Sequence, residues 1–345
     1  MIGIRADANE VVATGHIMRC ITIAKELRKK GETVLFFLAD EYGVSMLEEQ
    51  DMPYFVMHTN WENPKEELDI LCAEIDGRGI KAMLFDSYRF DREYFERLQD
   101  GLETKIRTAY IDDLFEDVYP VDVVINYNAY YTQFPYEEMY GKECSAELCL
   151  GPSFVPLREE FGRDNLRDGK EKTVLLSCGG GDVLQSLYKI LKKAVEDNRF
   201  AGVTFHVVLG RFHQQKERLE ELAYKYSNIK LHYNVTNMAE LMEENRIAVS
   251  AAGTMLYELC AMERPTVFFV TADNQKYDSD FFAQDDRMLF AGDFRKEEDV
   301  CIGHILDGMD FLLTNTKLCD EMKGKLRRVT DGKGAGRIAE ALIQK

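Results

Sequence analysis

No apolar run among these 345 residues approaches the roughly 18 to 20 residues that a membrane-spanning helix requires, and membrane insertion is not expected. The opening "MIGIRADANE" lacks the basic-then-apolar layout of a secretory signal. None of the 8 cysteines lies in a CxxC pair. Most of them (Cys20, Cys72, Cys149, Cys178, Cys260) sit inside apolar segments and read as reduced, buried hydrophobes of a cytoplasmic protein. The 6 histidines are scattered, so no zinc spacing is present and no metal is expected. A basic excess is absent too. Acidic residues outnumber basic ones 61 to 43, a net charge of −18, and such a surface repels nucleic acid. An anionic ligand must then be held locally, by helix N-termini or a few placed cations. There is no GxSxG elbow, no HExxH and no dinucleotide fingerprint after the first strand. No solenoid repeat or low-complexity tract occurs.

What is present is a strand–helix rhythm. "MIGIRAD" reads as a strand, and Ile17, Cys20, Ile21, Ala24 and Leu27 recur at helical spacing. "ETVLFFLAD", "PYFVMH", "IKAMLFDS", "TAYIDD" and "VDVVINY" read as strands, with helices over about Asn63–Asp76 and Asp91–Gly101 between them. Continuous apolar strands alternating with helices predict a parallel sheet covered on both faces. Residues 130–172 are less regular, with Pro135, Pro152, Pro156 and the charged run "REEFGRDNLRDGKEK". The rhythm restarts at "KTVLLSCGGGD", continues through "VTFHVVLG", "NIKLHYN", "RIAVSAAG" and "PTVFFVT", and closes on two amphipathic helices. The expectation is an α/β protein of two doubly wound Rossmann-like domains, residues 1–150 and 172–330, joined by a linker over 151–171 and followed by a helix in 331–345. Ligands of such folds bind at the carboxyl ends of the strands, here in an interdomain cleft.

Six stretches carry candidate chemistry. In "ATGHIMRC", Thr14 is a candidate N-cap, Gly15 lets a ligand approach the backbone, and His16 projects from the first helical turn at the sheet's carboxyl edge. A capping or surface histidine is the plain alternative. "LLSCGGGD" places Gly179 and Gly180 in a turn whose N–H groups can cradle an anion; a tight turn capped by Asp182 is the alternative. "VSAAGTMLYEL" ends a strand in the small residues Ser250, Ala252 and Gly253 and opens a helix at Thr254. Glu258 then follows four residues on, on the same face, where it can accept both hydroxyls of a ribose. "TADNQ" sets Asn274 and Gln275 at a helix start, with simple capping as the alternative. "FDSY" and "NYNAY" end strands of the first half and bring Asp86, Tyr88 and Asn128 to its carboxyl edge.

Several blocks, in order along nearly the whole chain, resemble one family: "RADANEVVATGHIMRCITIAKEL", the pair Asp112–Asp113, "VINYNAYY", "LGPSFVPLREEF", "SCGGGD", "SAAGTMLYELCAMERPTVFF", "ADNQ" and "DGKGAGRIAEAL". They look like the PseG family, the UDP-2,4-diacetamido-2,4,6-trideoxy-β-L-altropyranose hydrolases of pseudaminic acid biosynthesis, and the related SpsG-like spore-coat polysaccharide proteins. The resemblance implies the glycosyltransferase-B fold, with the C-terminal helix returning to the first domain. It implies a catalytic histidine at His16 in a Gly-His-x-x-Arg block that includes Arg19. Tyr88 matches the family's Asp-His-Tyr block, in which Ser87 replaces the histidine. The UDP-binding glutamate falls on Glu258 and the Asn-Gln pair on Asn274 and Gln275.

The combined expectation is a nucleotide-sugar hydrolase with no cofactor, acting on a UDP-sugar and water. UDP meets Gly179, Gly180, Ser250, Ala252, Gly253, Thr254 and Glu258. The sugar meets Asp7, Gly15, Arg19, Asp86, Asn128, Asn274 and Gln275, and His16 acts as base with Tyr88 beside it. Tyr88, Asp86 and Asp7 are the next bases in line. A UDP-sugar glycosyltransferase and a non-catalytic nucleotide-sugar binder are the other readings, and the oligomeric state is not read from the sequence.

Overall fold

The computed structural model describes residues 1–8, 15–143, 145–178, 182, 184–210 and 216–344, the side chains of Glu143 and Asn274 excepted. Thr14, Gly179 and Gly180, and the side chain of Asn274, therefore lie outside the described residues. The chain divides into two compact units, Met1–Arg158 with Lys333–Lys345, and Glu159–Gly332.

Unit 1 holds seven strands: β1 (Ile2–Ala6), β2 (Val34–Leu38), β3 (Tyr54–Val56), β4 (Ala82–Asp86), β5 (Arg107–Ile111), β6 (Val123–Asn126) and β7 (Glu147–Leu150). Their order is β3-β2-β1-β4-β5-β6-β7, with every pairing parallel. Strands β1, β2 and β4 are buried at every residue, the signature of a sheet covered on both faces. One face packs on the helix Gly15–Lys29 through Ile17, Cys20, Ile21, Ala24 and Leu27, and on the C-terminal helix Gly334–Ile343 through Ile338, Ala339 and Leu342. The other face packs on Leu71, Ile75, Phe95 and Leu98 of the helices Leu68–Arg78 and Arg92–Gly101. The C-terminal helix is also held by polar contacts. Arg107 Nε donates to the Ala341 carbonyl at 2.7 Å and Arg337 Nη1 to that of Ser153 at 2.8 Å. At its start, a Cβ on Gly334 would fall 2.3 Å from the Val155 carbonyl oxygen, an approach that only glycine permits.

Unit 2 holds six strands, β8 (Lys170–Ser177), β9 (Thr204–Leu209), β10 (Ile229–Tyr233), β11 (Asn245–Ala251), β12 (Thr266–Val270) and β13 (Leu289–Asp293), in the order β10-β9-β8-β11-β12-β13, all parallel. Both units are thus doubly wound parallel α/β layers. Four elements differ from the sequence reading. The irregular stretch after Tyr130 contains a helix, Tyr136–Glu143, and strand β7; β13 was not expected; and three helices rather than two close the chain, Glu298–Thr314, Thr316–Leu326 and Gly334–Ile343. Strands β7 and β13 lie at sheet edges and are only partly buried, so neither shows a continuous apolar run. Asn315 breaks one apolar pattern in two, since its side chain caps the second helix by accepting from Leu318 N–H at 3.1 Å.

Candidate active site

The carboxyl edge of the unit 1 sheet gathers five of the expected residues around Arg19. Register aligns Ala6 of β1 with Asp86 of β4, so Asp86 stands level with the end of β1. The helix Gly15–Lys29 then sets His16 and Arg19 one turn apart. The Arg19 guanidinium forks onto Asp86, Nε to Oδ2 at 2.6 Å and Nη2 to Oδ1 at 2.5 Å. Its Nη1 donates to Asp113 Oδ2 at 2.8 Å and to the Tyr127 hydroxyl, and the Tyr127 ring lies 5.4 Å from the guanidinium carbon. Burial works against the Arg19 charge, but the carboxylates of Asp113 and Asp86 outweigh it and hold the group protonated. Burial likewise opposes the Asp86 carboxylate, yet Arg19 and His16 keep its pKa below the ordinary range.

His16 is 4% exposed, its Nδ1 3.6 Å from Asp86 Oδ1 and without a hydrogen-bond partner. Its ring meets Tyr88 edge-on, with centroids 4.5 Å apart at 89°. Tyr88 is 43% exposed, and its hydroxyl donates to Asp113 Oδ2 at 3.2 Å. Partial burial and the Asp113 carboxylate push the phenol far above its usual range, so Tyr88 is a donor and not a base. Asp86 does not fit a base either, with its pKa lowered and both oxygens engaged by Arg19. Of the expected sugar contacts, Asp86 is 0% exposed, and Asp86 and Arg19 are bonded to each other. Asn128 is buried, and its Nδ2 donates to Asp113 Oδ1 at 2.9 Å and Asn126 Oδ1 at 3.0 Å. Gly15 opens the helix with nothing within 4 Å of a Cβ there. Asp7, just past β1, is buried, with Oδ1 accepting from Arg5 Nη1 at 2.5 Å. Ser87 is buried, and its Oγ accepts from Arg89 N–H at 3.1 Å, a turn contact.

The Asp112–Asp113 pair is committed to protein donors. Asp113 takes Arg19, Tyr88 and Asn128. Asp112 Oδ1 accepts from the N–H groups of Leu114 and Phe115, and its Oδ2 from the Tyr136 hydroxyl at 2.9 Å. Burial still pushes Asp112 up to about 6.

In unit 2 the turn after β11 is the open feature. Gly253 has φ +141°, a conformation that side chains rarely adopt, and nothing lies within 4 Å of a Cβ there. Among the described residues, the N–H groups of Gly253, Thr254 and Met255 donate to no partner, while that of Ala252 is used by the Phe269 carbonyl at 2.8 Å. Three successive unpaired N–H groups form a ready anion cradle. The helix that follows, Met255–Ala261, has only 7 residues, so the local N–H groups and not a long macrodipole supply the positive end. Thr254 is exposed and Glu258 half-buried. Ser250 is 1% exposed with its hydroxyl donated to the Ala251 carbonyl at 2.8 Å, so it shapes the turn and presents no free hydroxyl. Gln275 Oε1 accepts from the N–H groups of Thr271 and Ala272 at 2.8 and 3.2 Å and caps its own turn. Asp182 caps the helix Ser186–Glu196 through the N–H groups of Ser186 and Leu187 at 2.9 and 2.8 Å.

Sequence reasoning missed Tyr127 and Asp113 as parts of the Arg19 cluster, and Arg5, Glu67 and Tyr94 near Asp7. For Arg5 a signal existed: in the stretch "MIGIRAD", read as one strand, Arg5 and Asp7 are two apart and hence on one face. Glu67 comes from a distant short helix, Pro64–Glu67, and left no such trace.

Among the described residues, no helix is long and apolar enough to cross a membrane, and no group of three or more His, Cys, Asp or Glu could hold a metal ion. No protein-family model matches the chain. It is similar to uncharacterized protein MJ1062 of Methanocaldococcus jannaschii, with 24% identity over 291 residues, 80% of this chain; the chain spans little more than half of that relative's length, 56%. It is 23% identical over 254 residues to the UDP-2,4-diacetamido-2,4,6-trideoxy-β-L-altropyranose hydrolase of Campylobacter jejuni, covering 74% of this chain and 85% of that protein. With the spore coat polysaccharide biosynthesis protein SpsG of Bacillus subtilis it shares 21% over 361 residues, covering 99% and 97%. Among solved structures it is similar to MurG of Acinetobacter baumannii, with a TM-score of 0.66, 14% identity, and 99% of this chain and 98% of that one covered. A likeness with a TM-score of 0.63 at 9% identity links it to LpCGTa solved in complex with UDP, covering 100% of this chain and 99% of that one. The two doubly wound units and these likenesses identify the fold as glycosyltransferase-B.

Proposed function

We propose that the protein is a nucleotide-sugar enzyme that hydrolyses the anomeric C–O bond of a UDP-linked 2,4-diacetamido-2,4,6-trideoxyhexose. The observation that carries this reading is His16, a buried imidazole whose Nδ1 faces Asp86 at 3.6 Å and whose ring is braced by Tyr88. Asp86 favours a proton on Nδ1, which leaves Nε2 as the basic nitrogen. In the proposed step Nε2 takes a proton from water while the water oxygen bonds to C1. The C1–O pair leaves with the β-phosphate, giving UDP and the free sugar with inversion. Arg19, Asp86 and Asp113 position the base, and Tyr88 offers a neutral hydroxyl beside it. Nucleotide binding is assigned to unit 2 by itself, where the N–H groups at Gly253–Met255 offer an anion cradle and Glu258 lies one turn further along the helix. The distant likeness to the Campylobacter jejuni hydrolase, whose name states this substrate, supports the choice of sugar.

A second reading is favoured by the fold likeness to solved transferases such as the spinosyn rhamnosyltransferase SpnG and a glycosyltransferase of Rickettsia africae: the same base would activate an acceptor hydroxyl instead of water. Incubation with the UDP-diacetamido sugar and no acceptor, followed by NMR, separates the two. Hydrolysis predicts stoichiometric UDP and free sugar; an intact nucleotide sugar that is consumed only after an acceptor is added would favour transfer.

A further inference from the structure

On the side of the unit 1 sheet away from His16, Arg5 is 0% exposed and is bonded to two carboxylates. Its Nε and Nη2 fork onto Glu67 Oε1 and Oε2 at 2.8 and 2.9 Å, and its Nη1 donates to Asp7 Oδ1 at 2.5 Å. The Tyr94 hydroxyl adds a bond to Glu67 Oε1 at 2.8 Å, and the Phe90 ring lies 5.6 Å from the guanidinium carbon. Glu67 alone matches the Arg5 charge with a complete fork, so Asp7 brings a second negative charge that the ion pair does not require. Asp7 is 4% exposed, and its Oδ2 has no hydrogen-bond partner. Buried acceptors of this kind are rare because they are costly. Only four buried side-chain polar atoms among the described residues are unpartnered, and three of them, Asp7 Oδ2, His16 Nδ1 and Thr59 Oγ1, follow the strands of this one sheet at its carboxyl side.

We infer that Asp7 Oδ2 is a recognition acceptor for an O–H or N–H on the sugar of the bound nucleotide sugar, with Arg5, Glu67 and Tyr94 as the positioning residues that aim it. This rests on the function proposed above. A surplus carboxylate in a cluster of net charge −1 repels phosphate and accepts from neutral donors. It therefore selects the hydroxyl- or amide-bearing edge of the ligand and not its pyrophosphate.

The test uses the full chain carrying His16→Asn to block turnover, with UDP and UDP-2,4-diacetamido-2,4,6-trideoxy-β-L-altropyranose as probes in calorimetry. Adding Asp7→Asn should weaken the sugar nucleotide by about 10- to 100-fold, the span of a hydrogen bond to a charged group, and leave UDP within about twofold of the parent, as expected when only the sugar contact is lost. Glu67→Gln keeps the Asp7 carboxylate and should lower the melting temperature with a much smaller change in the ratio of the two affinities. If Asp7→Asn does not fold, Asp7→Ser, which spares the Arg5–Glu67 fork, takes its place. A parent that binds the sugar nucleotide and an Asp7 variant with the same affinity ratio would overturn the assignment of Asp7 alone. A parent that binds neither probe would overturn the functional reading and this assignment with it.

Discussion

Neutralising Asp112 should make unit 1 more stable at neutral pH and leave that gain absent in acid. Asp112 is 1% exposed and sits beside the Arg19 cluster. Its two backbone bonds, at 3.2 Å from Leu114 N–H and 2.8 Å from Phe115 N–H, and the Tyr136 bond all favour the carboxylate, yet burial outweighs them and pushes the group up to about 6. The unfolded chain titrates near 3.9. The folded state thus holds this proton more tightly than the unfolded state. The stability it contributes is complete below about pH 4 and is lost as pH rises through about 6. A rise of about two pH units in the midpoint corresponds to ~3 kcal/mol. Asp112→Asn keeps Oδ1 for the two backbone N–H groups. Its new amide faces the Tyr136 hydroxyl, which donates to the Asp112 carbonyl at 3.1 Å and so can accept. Between pH 4 and pH 7.5 the stability difference should move toward the variant by about 2 to 3 kcal/mol. The single tryptophan, Trp61, lies in unit 1, so its fluorescence during urea unfolding reports this unit at each pH. A difference that stays constant with pH, or that moves toward the wild type, would refute the reasoning.

Further outcomes follow from the same contacts. Arg19→Lys gives up the fork on Asp86 and cannot also span to Asp113, so unit 1 should lose about 3 kcal/mol in Trp61-monitored urea unfolding. Tyr88→Phe removes one bond at a half-exposed site. It should change unfolding stability by no more than about 1 kcal/mol while lowering kcat, measured as UDP release. Glu258→Ala should weaken UDP by about 1.5 to 3 kcal/mol in calorimetry with an unchanged melting temperature.

The doubly wound fold was legible because strands such as β2, "VLFFL", are apolar throughout and the helices between them keep a strict helical period. The edge strands β7 and β13 were not, because an edge strand is half exposed and carries Glu147, or Gly292 and Asp293, where an inner strand carries Val or Phe. In the site, the motif positions of His16, Arg19, Tyr88, Gly253 and Glu258 were readable from their places at strand ends and helix starts. What the side chains do to each other was not. That Arg19 and Asp86 hold one another could not be read, since a guanidinium on a helix and a carboxylate on a neighbouring strand meet only through the sheet register. Gln275 Oε1 reaches back to its own turn, a contact set by backbone geometry that spacing does not encode.

The central claim is that His16 is the base of an acceptor-independent hydrolysis. NMR of UDP and free sugar released from the UDP-diacetamido sugar, without acceptor, tests it directly when wild type and His16→Asn are compared at equal concentration. The account predicts release by the wild type and a turnover about 10²- to 10⁴-fold lower in the variant. It also predicts UDP affinity within a few fold of wild type, because the nucleotide is assigned to unit 2. A folded His16→Asn protein that releases sugar at close to the wild-type rate would contradict it.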